Sequence, residues 1–103
     1  MLKDTEGAKY IRITCHSHLH DLIAQILDNF GESEYTTCSR VCGTDADGRH
    51  FGTAVWPGNE EVFSILVSGR LARPLFDTLV EFKKTDPAHS NMRIAVIPVE
   101  HCG

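Results

Sequence analysis

Twice along this 103-residue chain an apolar strand pattern gives way to an apolar stripe at helical spacing, and a further strand pattern follows each stripe. A period of two and a period of 3.6 cannot share one backbone conformation, so these switches mark where strands end and helices begin. Residues 8–16 alternate, with Ile11, Ile13 and Cys15 on one face and Tyr10, Arg12 and Thr14 on the other. From Leu19 onward the apolar positions become Leu22, Ile23, Ile26, Leu27 and Phe30, which line one helix face. Ser17 is expected to cap this helix at its start and Gly31 at its end. Tyr35 to Cys42, rich in β-branched and aromatic residues, predicts a second strand. Glu61 to Ser68 predicts a third, apolar enough for a central position. Leu71, Leu75, Leu79 and Phe82 then mark a second helix that ends on Lys83-Lys84. Pro74 belongs in a first helical turn, which puts the start near Ala72 or Arg73. Met92 to His101 predicts the last strand, and Pro98, which has no amide proton, places it, at least from Pro98 on, at a sheet edge or beside a bulge.

The order βαββαβ predicts an α+β, ferredoxin-like fold, with an antiparallel four-stranded sheet in spatial order 4-1-3-2 and both helices on one face. No linker or repeat interrupts it, so residues 1–103 are expected to form one domain. The opposite sheet face, bearing Tyr10, Arg12 and Thr14, is left without a helical layer. Association of several copies is the expected cover.

Charge and composition exclude several classes. A net charge of −4 disfavours a nucleic-acid partner, whose phosphates call for a basic face. An RNA-recognition module on this fold also needs aromatic residues on the strand faces, and they are missing. No apolar run approaches the ~18 residues of a membrane span. The first ten residues hold no signal-peptide core. The four cysteines (Cys15, Cys38, Cys42 and Cys102) are too scattered to staple a small fold, and are expected as reduced thiols in a cytoplasmic protein.

Residues 43–60, GTDADGRHFGTAVWPGNE, form the segment best suited to a working role. A loop without secondary structure beyond roughly 12–15 residues is uncommon in a compact domain unless it binds something. Gly43, Gly48, Gly52 and Gly58 free the backbone, while Arg49, His50, Phe51 and Trp56 supply contact chemistry. The tip, 45–51, is expected to move freely, with Gly52 to Asn59 anchored through Val55 and Trp56.

Together these features resemble the nitrogen-regulatory PII-like superfamily: small ferredoxin-like subunits that form trimers with their sheets facing inward. The resemblance rests on the βαββαβ order and on a long segment where that family carries its effector-docking T-loop. It rests also on the strings YTTCSRVCG, GRHFGTAVWPGNEEVFSILV and IAVIPVE, which are similar to the divergent PII-like proteins. The resemblance implies a homotrimeric signalling or sensor protein that binds a nucleotide or a bicarbonate-like anion in clefts between subunits. Gly43, Arg49, Gly52, Thr53, Trp56 and Arg70 are the candidate ligand-binding residues. The 43–60 loop would carry the signal to a membrane transporter or a regulatory protein. In the family's nitrogen regulators a glycine-rich, lysine-containing loop before the last strand helps to hold ATP. Here that connection, Thr85 to Asn91, has neither residue, so the same phosphate cradle is not expected. No tyrosine lies in 43–60, so tyrosine modification there is not expected either.

The remaining chemistry is thinner. His16, His18 and His20 form a His-x-His-x-His run that, with Cys42, makes a candidate transition-metal set of the kind used by CutA-like or metal-efflux-associated proteins. Solvated histidines at a helix start are the plainer alternative. Cys38 and Cys42, about 13 Å apart along an unbroken strand, cannot share an ion. Asp45-Ala46-Asp47-Gly48 fails as an EF-hand, because Ala54 falls where the bidentate Glu must stand. Arg49, Arg70 and Arg73 are the strongest anion binders, since guanidinium grips carboxylate and phosphate bidentately. No nucleophilic set can be assembled from spacing, and catalysis is not expected.

Overall fold

The structure is a computed structural model that describes residues 7–32, 34–41, 43–45, 48–50, 60–101 and 103, with backbone alone for 39–41, 43–45 and 48–50. The elements run β1 (Lys9–His16), α1 (His20–Asn29), β2 (Thr36–Val41), β3 (Gly43–Asp45), β4 (Gly48–His50), β5 (Glu60–Val67), α2 (Gly69–Lys84) and β6 (Arg93–Pro98). Strands β2, β5, β1 and β6, in that spatial order, form one antiparallel sheet. This is the expected α+β, ferredoxin-like arrangement, with β6 and its Pro98 on an edge.

The pleat of β1 and β5 sorts the side chains. Ile11, Ile13 and Cys15 of β1 and Phe63, Ile65 and Val67 of β5 are buried with Ile23 and Leu27 of α1 and Leu75 and Leu79 of α2. The other face runs in rows fixed by register: Tyr10 beside Leu66 and Ile97, Arg12 beside Ser64 and Ala95, Thr14 beside Val62 and Arg93. Within it the Tyr10 hydroxyl donates to Ser64 Oγ at 2.9 Å. The mixed face expected from Tyr10, Arg12 and Thr14 is thus present, and it carries Ile97 at 45 % exposure.

Local chemistry corrects several boundaries. Ser17 does not cap α1 with its side chain. It opens a 3-10 turn, Ser17–Leu19, whose first carbonyl accepts the His20 amide, and α1 starts only there. Leu22 lies off the buried stripe at 46 % exposure. At the other end Gly31, at φ 76°, closes a Schellman motif: its amide reaches the Asp28 carbonyl at 2.9 Å, and the Glu32 amide reaches Leu27 at 3.0 Å. Helix α2 begins at Gly69, earlier than Pro74 suggested, so the proline is its sixth residue. Pro74 and Arg70 are both exposed, so the bond Pro74 cannot give to the Arg70 carbonyl is lost on the solvated side, where water replaces it. The 43–60 segment is not all loop. Gly43 pairs with His50, Thr44 with Arg49 and Asp45 with Gly48, so β3 and β4 form a separate antiparallel ladder. The expectations for Phe51 to Asn59 lie outside the described residues.

Gly69 is fixed by sterics rather than by conformation. A Cβ built on it would stand 2.4 Å from the backbone oxygen of Gly7, the residue at φ 77° that leads into β1. Neither chain can retreat without moving β1 or α2. Gly69→Ala is therefore expected to cost about 1–3 kcal/mol, the range for overpacking against a rigid neighbour. Urea denaturation checks it, and a loss below about 0.5 kcal/mol would mean that the two backbones separate freely.

Candidate functional site

One end of the sheet gathers the chemistry. There β1 leaves the sheet, β5 enters it from the 43–60 segment, and register sets Cys15 opposite Glu61 and His16 opposite Glu60. The β5 residues Glu61, Phe63, Ile65 and Val67 all point to the helical side, so a carboxylate enters the buried layer, 5 % exposed. Its Oε1 accepts from His20 Nδ1 at 2.6 Å. His20 is the first residue of α1, and its ring lies 5.2 Å from Phe63, which meets Tyr35 at 5.4 Å. The bond to Glu61 and the ring of Phe63 together fix the imidazole's tautomer and direction, with Nδ1 as the donor.

The histidine run is thereby split. His20 is held by Glu61, whereas the rings of His16 and His18 face each other at 5.0 Å and 49°. Strand alternation puts His16 on the opposite side of β1 from Cys15. Among the described residues no group of three or more His, Cys, Asp or Glu side chains stands close enough to hold a metal ion. Cys42 lies outside the described residues.

Of the candidate ligand residues, Gly43 and Arg49 are on facing strands of the β3–β4 ladder at this same end. Gly52, Thr53 and Trp56 lie outside the described residues. Arg70, exposed in the first turn of α2, is at the other end of the sheet, the length of β5 away. Arg73 is also exposed there and is paired with Asp77 at 3.1 Å. Within one subunit, then, Arg70 does not join Gly43 and Arg49.

The connection from α2 to β6 spends its amides on itself. The amides of Thr85, His89, Ser90 and Met92 bond the carbonyls of Phe82, Asp86, Pro87 and His89, and the Ala88 amide bonds Asp86 Oδ1 at 2.9 Å. His89 is buried, stacks on Phe82 at 4.4 Å, and donates from Nδ1 to the Phe82 carbonyl at 3.0 Å. That carbonyl also accepts from the Thr85 amide and hydroxyl, so the last turn of α2 is capped by side chains. These residues close a turn on the end of α2.

Sequence reasoning missed Glu61 and His89. The signal for Glu61 was its parity with Phe63 and Ile65 on an apolar strand. His89 carried none, because a seven-residue reach back to Phe82 has no period.

No protein-family model and no curated protein matches the chain in sequence. Solved structures match it in shape. CPII, a nitrogen regulatory PII-like protein from Thiomonas intermedia K12 bound to ADP, AMP and bicarbonate, superposes with a TM-score of 0.70 at 16% identity, over 89% of this chain and 91% of that one. A DUF3240 family protein from Shewanella baltica OS155 gives 0.70 at 16%, over 94% of both chains. The apo form of CPII gives 0.63 at 18%, over 89% of this chain and 90% of that one. The resemblance to PII-like proteins thus holds at the level of the whole fold.

Cys15 and Cys38 differ in reactivity for physical reasons. Burial, then the charges of Glu61 and Glu60, push the Cys15 thiol from 9.0 up to about 12, whereas Cys38 is exposed on β2. The thiolate is the nucleophile, so at pH 8 iodoacetamide is expected to label Cys38 and spare Cys15 until the chain unfolds. Between about pH 9 and 12 unfolded Cys15 releases a proton that the folded state keeps, so stability should fall as pH rises through that window. Peptide mapping that finds Cys15 labelled as fast as Cys38 in the native protein would contradict this.

Proposed function

We propose that this chain is a PII-like regulatory protein rather than an enzyme. Three copies would bind a small anion, a nucleotide or bicarbonate-like species, in the clefts between them and relay occupancy through 43–60. The observation that carries this is the fold shared along nine-tenths of both chains with CPII, whose structure holds ADP, AMP and bicarbonate. The sheet face that no helix covers among the described residues adds support, since three inward-facing sheets would cover it. Arg49, on β4, is the main anion ligand in this reading, with Gly43, Gly52, Thr53 and Trp56 completing the wall. Arg70 reaches the cleft only from a neighbouring copy. With the amides of Thr85, Ala88, His89 and Ser90 already bonded, phosphate contacts fall to the 43–60 segment and its arginine. That segment, in the cytoplasm, would meet a transporter or a regulatory protein.

Isothermal titration against ADP, AMP, ATP and bicarbonate tests the reading. At least one should bind in the micromolar range, and Arg49→Ala should weaken it roughly 10- to 150-fold, the loss of a charge-assisted hydrogen bond worth about 1.5–3 kcal/mol. No saturable heat from any of the four at millimolar concentration would reject it.

A further inference from the structure

A second surface lies between α2 and β6 and runs from the Gly69 end of the helix to the turn that follows Lys84. Two cavities of about 480 and 390 Å³ adjoin along it and share Phe76. Their α2 residues run Ala72, Phe76, Val80 and on to Lys84, one stripe at helical spacing, while Ile94 and Val96 are the alternate inward positions of β6. As the helix number falls from 80 to 72 the strand number rises from 94 to 96, so the two cavities are one groove, antiparallel to the strand. The twelve helical rises from Ala72 to Lys84 give it a length of about 18 Å, which matches five or six residues of extended chain. Among the described residues no strand pairs the outer side of β6, so Arg93 to Ile97 offers a backbone edge beside an apolar floor.

The rim carries an excess of positive charge. Lys9 and Arg73 line one cavity and Lys83 and Lys84 the other, against the single carboxylate of Asp86. The partners of Arg73 and Lys84, Asp77 and Glu81, are held through exposed pairs of 3.1 and 3.9 Å, which water and salt screen. This excess of positive charge stands out on a chain whose net charge is −4. A neutral lipid tail would use the floor and leave the edge and the lysines idle. A peptide that alternates acidic and apolar residues would use all three.

We propose that the α2–β6 groove docks an acidic, alternately apolar peptide of another protein as an added strand on β6. Its main chain pairs with Arg93 to Ile97, its apolar side chains enter between Phe76, Val80 and Ile94, and its carboxylates meet Lys83, Lys84 and Lys9. This docking does not depend on ligand binding at the 43–60 end.

The test uses the full chain and a fluorescein-labelled peptide of alternating Glu and Val, with a Lys/Val peptide as control. Anisotropy should report saturable binding of the acidic peptide alone, weakening as salt rises. Lys83→Gln/Lys84→Gln, which removes two charges from exposed or half-exposed groups without placing carboxylates at the helix end, should reduce affinity at least tenfold with the thermal melt shifted only slightly. Amide shifts in NMR should cluster on β6 and α2. No saturable binding up to millimolar peptide, equal binding of the Lys/Val peptide, or shifts elsewhere would overturn the proposal. So would an oligomer that dissociates in the double variant, because the groove would then be filled by a second copy of the chain.

Discussion

The pleat of the two central strands organises this molecule. β1 and β5 lie side by side in register, and alternation sends Ile11, Ile13, Cys15, Phe63, Ile65 and Val67 into one layer against both helices. At about 25 cal/mol for each Å² of apolar surface removed from water, that layer is the main favourable term of the fold. A slip of one residue would turn it out to solvent. The same alternation brings in Glu61, because it shares parity with Phe63, and so places a buried carboxylate beside His20 at the end where the 43–60 segment returns. It also leaves Leu66 and Ile97 on a face that, among the described residues, no helix covers.

Two ends of the sheet therefore do different work. At the Gly7–Gly69 end two backbones meet so closely that a methyl group would collide with a carbonyl, which pins the start of α2 to the start of β1. At the other end α1 begins on a histidine bound to a carboxylate, α2 ends in a turn closed by His89, and β3 and β4 pair beyond the sheet. The rigid end holds the helices in place. The other end carries the candidate ligand residues Gly43 and Arg49.

Much of this was legible in the sequence because periods survive folding. The βαββαβ order, the edge position of Pro98 and the left-handed Gly31 all followed from spacing or from a single residue's backbone preference. What failed was governed by contacts between distant segments. The early start of α2 depends on Gly69 meeting Gly7, and no local rule about Pro74 could reveal it. The β3–β4 ladder arose where four glycines suggested only a loop. The histidines looked convergent in a line of sequence, but the 3-10 turn at Ser17 sends His20 to Glu61 and leaves His16 and His18 facing each other. Of the candidate ligand residues, the ladder placed Gly43 and Arg49 together, and α2 carried Arg70 to the far end.

The proposed regulatory role depends most on the uncovered sheet face being closed by further copies of the chain. Sedimentation equilibrium at micromolar concentration tests it directly, on the wild type and on a Leu66→Glu variant that puts a charge on that face beside Tyr10. The account predicts three times the 11.5 kDa of one chain for the wild type and a shift to single chains for the variant. A wild-type protein that sediments as a single chain would contradict it.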